Sequence, residues 1–360
     1  MAGIISAAKP PAKQKFPSTQ SSERVFQRDM PKTLSIWVNT KLTTAAAEQL
    51  AAGVTPHKLL IAERSAGNLT AGSHDPLLAQ ADVAFGQPDP KQVVDCSGLK
   101  WIHLSSAGYT RYDRGDVKTA LASRKAILTN SSSVFNAPCA EHVAAFMLAQ
   151  ARQLPAAILN QAGVRNGSSM PRAWISPTIR SESKLLMHQT AMIVGFGAIG
   201  KHLAAVLLAL KMNVLAIRRQ PHGDEMVPTH GVDEVDRLLP TVDHVINILP
   251  ASKSTDGFFT AERIASMKPG SVFYNIGRGA TVDQQALIIA LQEKRLAAAY
   301  LDVTDPEPLP PEHPLWLAPN CHITPHTAGG HADEFERAVR HFLGNLRRYE
   351  KDEPLLDRVM

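Results

Sequence analysis

The sequence has few cysteines and no long apolar run. Cys96, Cys139 and Cys321 are odd in number and widely spaced, which excludes a disulfide framework and fits a reducing compartment. No uninterrupted apolar run approaches the ~18 residues that a transmembrane helix needs, and no secretory signal is evident. We therefore expect a cytoplasmic protein with no membrane partner.

The net charge is also small once residues 1–32 are left out. The formal net charge is +5, and residues 1–32 hold six basic side chains against two acidic ones, so the remainder is nearly neutral. Without a basic surface beyond that leader, we do not expect the protein to bind nucleic acid. The leader is predicted to be a disordered basic tail, with an organellar transit peptide as the minority alternative.

What the sequence does contain is an alternation of strand-like apolar runs with helical patterns. One block covers residues 33–137 and a second begins at Thr190, and such alternation is typical of βαβ units around parallel sheets. The predicted fold class is therefore α/β, with two domains. Residues 138–154 are predicted to form a helix buried between the domains, residues 155–184 an irregular surface arm, and residues 332–349 a helix that packs back on the first block.

The second block opens with a glycine-rich turn. The strand-like run "TAMIVG" leads into "GFGAIG", and an amphipathic pattern follows, which is the context that a dinucleotide-binding fingerprint requires. Its glycines permit the tight turn and the close approach of pyrophosphate, while amides at the helix N-terminus face the phosphates. The predicted cofactor residues in this turn are Gly195, Gly197, Ala198, Ile199 and Gly200.

Two adjacent arginines end the next strand-like run. Arg218 lies 23 residues beyond Gly195, where an NAD-binding unit places an acid for the ribose 2′-hydroxyl. A carboxylate there would repel a 2′-phosphate by roughly 4 kcal/mol per charge pair at ~4 Å and an effective dielectric of ~20, whereas guanidiniums bind phosphate bidentately. Arg218 and Arg219 therefore favour NADP(H). NAD(H) stays possible, because the pair could also be solvated on a loop.

Three charged side chains follow strand-like runs in the same block. Arg278 lies between glycines in "NIGRGATVD", Glu307 between prolines in "LDVTDPEPLP", and His326 at the end of "CHITPH". Strand ends of one parallel sheet converge on the crevice outside its carboxyl edge. Their charges suggest that Arg278 holds a carboxylate, that His326 exchanges a proton with a hydroxyl or carbonyl, and that Glu307 orients His326. Taken singly, each could instead be structural.

In this order and spacing the motifs resemble the D-isomer-specific 2-hydroxyacid dehydrogenase family, over residues of about 33–350. The family pattern is a glycine fingerprint, then Asn-x-x-Arg-Gly, then Asp-Val with a Glu five residues after the Asp, then Thr-Pro-His. Its elements are here Gly195/Gly197/Gly200, Asn275 with Arg278 and Gly279, Asp302 with Glu307, and Thr324-Pro325-His326.

The resemblance implies two Rossmann-like or flavodoxin-like domains and usually a homodimer. An NAD(P)-binding domain at residues 138–326 would be inserted into a substrate domain at residues 33–137 and 327–360. The cofactor site would further include Leu249, Pro250, Ile276 and Asp302, with Asp302 and the backbone near Ile276 holding the nicotinamide carboxamide. The substrate carboxylate would be gripped by Ser106, Ala107 and Gly108, together with Arg278.

The segment "EHPLW", ending at Trp316, is similar to the glyoxylate and hydroxypyruvate reductase branch of that family. The resemblance thus implies an NADPH-preferring reductase of a small 2-oxoacid. Two alternatives stay open: an NAD(H)-sensing corepressor on the same fold, and a phosphoglycerate-type dehydrogenase using Arg111 and Arg114. No metal site is expected at Cys321, His322 and His326, because neighbouring side chains on a strand point to opposite faces.

Overall fold

Strands and helices alternate along the chain in the computed structural model, as the sequence predicts. The structure describes residues 33–68, 70, 72–165 and 168–360, and the predicted tail at residues 1–32 lies outside the described residues. The strands are β1 (Ser35–Thr40), β2 (Lys58–Ala66), β3 (Val83–Gly86), β4 (Trp101–Leu104), β5 (Ile127–Thr129), β6 (Val164–Arg165), β7 (Ser168–Ser169), β8 (Thr190–Val194), β9 (Asn213–Ile217), β10 (Thr229–His230), β11 (His244–Asn247), β12 (Val272–Asn275), β13 (Ala298–Leu301) and β14 (Cys321–Ile323). The helices are α1 (Thr44–Gly53), α2 (Pro90–Asp95), α3 (Gly115–Ser123), α4 (Ser132–Ala151), α5 (Leu154–Ala162), α6 (Ser176–Glu182), α7 (Ala198–Ala209), α8 (Val235–Leu238), α9 (Ala261–Ser266), α10 (Gln284–Gln292) and α11 (Glu334–Glu350).

Strands β1 to β5 form a parallel sheet in the order β2-β1-β3-β4-β5. Strands β3 and β4 are buried along their whole lengths, as parallel strands are when helices cover both faces of a sheet. This strand order is that of flavodoxin-like sheets, whose ligands bind outside the carboxyl edge. The turns that follow β3 and β4 therefore lie where a ligand of this sheet would bind.

Strands β8 to β14 form a second parallel sheet in the order β10-β9-β8-β11-β12-β13-β14. Its central strands β8, β11, β12 and β13 are almost wholly buried. The chain reverses direction of winding between β8 and β11, and a switch point of this kind is where a doubly wound sheet binds its dinucleotide. The predicted α/β fold with two parallel sheets is confirmed.

Helix α4 connects the two sheets and is apolar around much of its surface. Its buried side chains include Val134, Val143 and Met147, which pack in one cluster with Leu203 of α7. Because α4 crosses residue 138, the position of that domain boundary stays a prediction. Among the described residues, neither α4 nor any other helix combines the length and apolar character needed to cross a membrane.

The C-terminal segment packs back on the first sheet. In α11 the ring of Phe342 stacks on Trp101 with a centroid distance of 5.2 Å. Beyond this helix, Leu128 N in β5 donates a hydrogen bond to Met360 O over 3.0 Å. The helix predicted to pack back on the first block therefore does so, and the assignment of residues 327–360 to the substrate domain stays a prediction.

The prediction that residues 155–184 are irregular is wrong. The segment forms α5, a short hairpin of β6 and β7, and α6, although neither helix buries a residue. Pro155 near the start of α5 and Gly163 after its end, with φ of 74°, are helix start and stop signals. The high content of Pro, Ser and Arg concealed them.

Candidate active site

The glycine turn joins β8 to α7 at the switch point of the second sheet. Gly195 has φ of +104°, a conformation that favours glycine, and a Cβ there would lie 2.9 Å from Ile248 O. A Cβ at Gly197, just before α7, would meet no atom of the described residues within 4 Å. The turn is thus closed against the loop after β11 and open on its other side. Residues 198–200 follow as the first turn of α7, and their amides beside this open space fit a pyrophosphate.

The two arginines lie at the end of β9, beside the glycine turn. Gly195 N donates to Ile217 O over 3.0 Å, which brings the residue before Arg218 against that turn. Arg218 is already engaged, because its Nη1 donates to Glu225 Oε1 over 3.1 Å. The side chain of Arg219 is exposed and pairs with no residue in the described part of the chain. The predicted cationic pair therefore consists of one held and one exposed guanidinium.

Glu307 and His326 meet after β13 and β14, the strands at the other end of the strand order of the same sheet from β9. His326 Nδ1 lies 2.5 Å from Glu307 Oε1, and the two side chains are 24% and 36% exposed. Because Nδ1 is engaged by the carboxylate, Nε2 is the ring atom left for a ligand. The structure thus brings together the histidine and the acid that the strand-end pattern predicts to meet.

The loop that carries His326 is held by Asp302. His326 has φ of 53°, a left-handed conformation that costs a non-glycine residue about 1–3 kcal/mol. Asp302 is buried and accepts hydrogen bonds from Thr324 Oγ1 over 2.6 Å, Thr327 N over 2.8 Å and Ala328 N over 2.9 Å. Two of these reach Oδ1 and one reaches Oδ2, so the carboxylate holds the loop on both sides. The predicted contact of Asp302 with a nicotinamide carboxamide stays a prediction.

A buried amide network fixes the turn after β12, where Arg278 lies. Asn247 Nδ2 donates to Asn275 Oδ1 over 3.0 Å and to Thr281 Oγ1 over 2.7 Å. Thr281 Oγ1 and Asn275 Nδ2 in turn both donate to Arg278 O. Asn247 and Asn275 are 0% and 1% exposed. A fully satisfied buried network rigidifies its surroundings, so the backbone of Arg278 is held in one place.

The Arg278 guanidinium packs on the turn after β4. A Cβ at Gly108 would lie 2.6 Å from Nη2 of Arg278, and Nη1 donates to Gly277 O over 2.6 Å. Burial lowers the pKa of Arg278 and the nearby Glu307 opposes that shift. An arginine stays protonated in proteins, so a largely desolvated cation faces this turn.

The turn itself offers unused amides. Ser106 Oγ donates to Gly108 O over 2.7 Å, and Asn130 Nδ2 donates to Ala107 O over 2.6 Å, which together fix the turn. The backbone N–H groups of Ala107 and Gly108 donate to no residue that the structure describes. Two amides and a guanidinium in one place are donors suited to a carboxylate.

The other predicted cofactor residues lie between these two ends. Leu249 N would be 3.3 Å from a Cβ on Gly195 and 2.8 Å from one on Gly277, so Leu249 touches both glycine turns. Pro250 and Ile276 follow β11 and β12 at the same edge. The predicted residues of the second sheet are therefore gathered along one carboxyl edge.

Comparisons with known proteins agree with this geometry. A family model described as D-isomer specific 2-hydroxyacid dehydrogenase, NAD binding domain, matches residues 144–328. The glyoxylate/hydroxypyruvate reductase B of Escherichia fergusonii is 33% identical over 261 residues, covering 71% of this chain and 78% of that protein.

The chain belongs to the D-isomer specific 2-hydroxyacid dehydrogenase family. It is accordingly an oxidoreductase acting on CH–OH donors, with an NAD-binding domain. Among solved structures, an NADPH-dependent glyoxylate/hydroxypyruvate reductase from Sinorhizobium meliloti, in complex with NADP and malonate, is 25% identical with a TM-score of 0.67, covering 91% of this chain and 96% of that one. A protein from Thermus thermophilus is 27% identical with a TM-score of 0.67, covering 91% of this chain and 100% of that one.

Two residues of this dehydrogenase site were not predicted from the sequence. Asn247 follows apolar residues in a buried strand, and because a buried amide needs partners, its position was a signal that could have been used. Glu225 had no such signal, since it lies among the polar residues of "PHGDE" in a surface turn. Its contact with Arg218 depends on how that turn folds.

Proposed function

We propose that the protein is an NADPH-preferring reductase of small 2-oxoacids such as glyoxylate or hydroxypyruvate. When bound, the nicotinamide cofactor supplies the hydride for the C2 carbonyl carbon. The chain binds and orients the substrate and supplies the proton. The observation that carries this proposal is that Arg278, the unused amides of the turn after β4, and the His326–Glu307 pair all lie at facing carboxyl edges of the two sheets.

The substrate carboxylate is proposed to lie between Arg278 and the amides of Ala107 and Gly108. Charge-assisted hydrogen bonds of this kind are about twice as strong as neutral ones, and partial burial strengthens them further. The same guanidinium would stabilise negative charge that develops on the carbonyl oxygen. Since the Asn247 network fixes the Arg278 backbone, little reorganisation is needed when substrate binds.

His326 is proposed as the proton donor to the carbonyl oxygen. Glu307 would fix the ring through Nδ1, so that Nε2 delivers the proton. The strained backbone at His326 supports this role, because such strain persists at functional sites where surrounding contacts maintain it.

NADPH preference is proposed from Arg218 and Arg219. Both lie at the end of β9, where a dinucleotide-binding sheet places the adenosine ribose, and no acidic residue directly follows that strand in the sequence. The complex of the Sinorhizobium meliloti relative with NADP supports the same choice.

Initial rates for a panel of 2-oxoacids with NADPH and with NADH would test the proposal. We expect reduction of glyoxylate and hydroxypyruvate, with the higher kcat/KM for NADPH. No reduction of any small 2-oxoacid, together with intact cofactor binding, would contradict the proposed activity and favour the corepressor alternative.

The resemblance also implies a homodimer, which we propose is formed through the segment from α5 to α6. Its apolar side chains are unusually exposed for one chain, with Ile158 at 62% and Trp174 at 94%, and an exposed apolar surface is typical of an interface. Sedimentation velocity is expected to give a dimer, and Ile158→Asp a monomer. A monomeric wild type would contradict this assignment.

A further inference from the structure

Glu225, in the loop after β9, contacts Arg218 at the proposed cofactor site. Glu225 folds back on its own loop and accepts hydrogen bonds from His222 N and Gly223 N, each over 2.8 Å. Its third partner is Arg218 Nη1 at 3.1 Å. The side chain of Glu225 is 4% exposed and that of Arg218 is 23% exposed. Loop, carboxylate and guanidinium therefore form one closed unit, which we call the Glu225 clamp.

The carboxylate of the clamp is always charged but is not available as a ligand. Hydrogen bonds, of which that from His222 N has the largest effect, lower the pKa of Glu225 to about 2. The carboxylate is therefore ionised at neutral pH. Three donors already occupy it, and its low exposure leaves no room for a ribose hydroxyl. Glu225 therefore differs from the acid at a strand end that hydrogen-bonds the ribose 2′-hydroxyl of NAD.

The clamp leaves most of the guanidinium free to bind an anion. Nε and Nη2 of Arg218 donate to no residue that the structure describes, and guanidinium donors lie in one rigid plane. A contact at Nη1 therefore sets the direction of the remaining donors. Ordering a long side chain normally opposes binding, and the contact with Glu225 supplies part of that ordering before an anion arrives.

We propose that Glu225 is a positioning residue that sets the preference for NADPH by presenting Arg218 to the 2′-phosphate. This inference rests on the proposed function, since it requires the 2′-phosphate at the end of β9. Arg219 adds positive charge without a fixed geometry. The preference for NADPH would then depend on the folded loop that carries Glu225 as well as on Arg218 and Arg219.

The test compares Glu225→Gln and Glu225→Asp with Asp224→Asn in the full-length protein. Glu225→Gln removes the charge that attracts Arg218 and one of the two acceptor oxygens. Glu225→Asp keeps the charge but shortens the reach, so both variants loosen the clamp. Asp224 is exposed, and its side chain pairs with no described residue. Its replacement removes the same charge and leaves the clamp intact, which makes it the matched control.

Equilibrium binding of 2′,5′-ADP, with 5′-AMP as the ligand lacking the 2′-phosphate, is measured by calorimetry. Both Glu225 variants are expected to weaken 2′,5′-ADP binding roughly tenfold, about 1.4 kcal/mol, and to leave 5′-AMP unchanged. In steady state, KM for NADPH rises by the same factor while kcat and KM for NADH do not change. With Arg218 already replaced by Ala, Glu225→Gln has no further effect, as expected for two residues that act as one unit.

Unchanged or tighter binding of 2′,5′-ADP by the Glu225 variants overturns the proposal, because the carboxylate would then only offset the charge of Arg218. An equal loss in Asp224→Asn overturns it as well, since charge rather than geometry would be responsible. A wild type that binds 2′,5′-ADP no more tightly than 5′-AMP instead overturns the NADPH preference itself.

Discussion

Arg278 and Arg218 both follow strands of the second sheet at its carboxyl edge, yet they are held in different ways. The backbone of Arg278 is fixed by Asn247 and its partners, which are buried between strands of the sheet. Arg218 is fixed by one carboxylate on a surface loop. The proposed nicotinamide end is thus built into the sheet, whereas the proposed adenosine end depends on a local turn.

Because of this difference, we expect substitutions at the two ends to have different effects. Loops accept change more readily than buried strands, and unsatisfied buried amides cost free energy of unfolding. We therefore expect changes at the proposed nicotinamide end to affect turnover and stability, and changes at the proposed adenosine end to affect mainly the choice of cofactor. The predictions below test that separation.

The largest effect is expected from His326→Asn. Asn tolerates the left-handed backbone at this position better than most residues, so the loop should stay in place while the proton donor is lost. General acid catalysis contributes about 10²–10⁴-fold, and kcat should fall by that factor with an unchanged Kd for NADPH. Steady-state kinetics and a fluorescence titration measure the two quantities. Turnover close to that of the wild type would reject His326 as the donor.

Asn247→Leu is expected to show that the nicotinamide end is part of the core. The change removes two donors and leaves the N–H of Leu249 without its partner at 3.1 Å. Loss of such buried contacts costs about 1–3 kcal/mol, which urea unfolding measures, and kcat/KM for the 2-oxoacid should fall with either cofactor. A stable variant with normal kcat/KM would show that the Arg278 turn does not need this network.

Arg218→Ala is expected to change cofactor choice and to leave turnover unchanged. A hydrogen bond to a charged group contributes about 1.5–3 kcal/mol, so the ratio of kcat/KM for NADPH over NADH should fall roughly 10-fold to 100-fold. The free energy of unfolding should fall by no more than about 0.5–1.5 kcal/mol, the contribution of one hydrogen bond, because the Glu225 carboxylate keeps its two backbone donors. An unaltered ratio would remove the basis for placing the 2′-phosphate at this strand end.

The smallest effect is expected from Arg219→Ala. This guanidinium is exposed, and exposed ion pairs contribute about 0.2–1 kcal/mol, so KM for NADPH should rise by no more than about fivefold. Salt screens exposed charges more than partly buried ones. The effect of Arg219→Ala should therefore vanish at high ionic strength, while that of Arg218→Ala persists. Equal salt dependence would show that the two arginines are not held differently.

Much of the fold and the nicotinamide end could be predicted from the sequence, because both depend on local patterns. Apolar strands ending in glycines or charged residues predict a carboxyl edge, and residues on neighbouring strand ends meet there, as Glu307 and His326 do. Glu225 could not be predicted, because its contact with Arg218 depends on the path of a polar turn. The helices α5 and α6 were missed because the high content of Pro, Ser and Arg in this segment concealed their start and stop signals.

The most direct test of the account is the NADPH to NADH ratio of kcat/KM for glyoxylate or hydroxypyruvate, measured in His326→Asn and in Arg218→Ala. The account predicts that His326→Asn lowers kcat with both cofactors by the same factor and leaves the ratio unchanged. It predicts that Arg218→Ala lowers the ratio and leaves kcat with NADPH unchanged. A ratio altered by His326→Asn, or a loss of kcat in Arg218→Ala, would contradict the separation of chemistry and cofactor choice between the two ends.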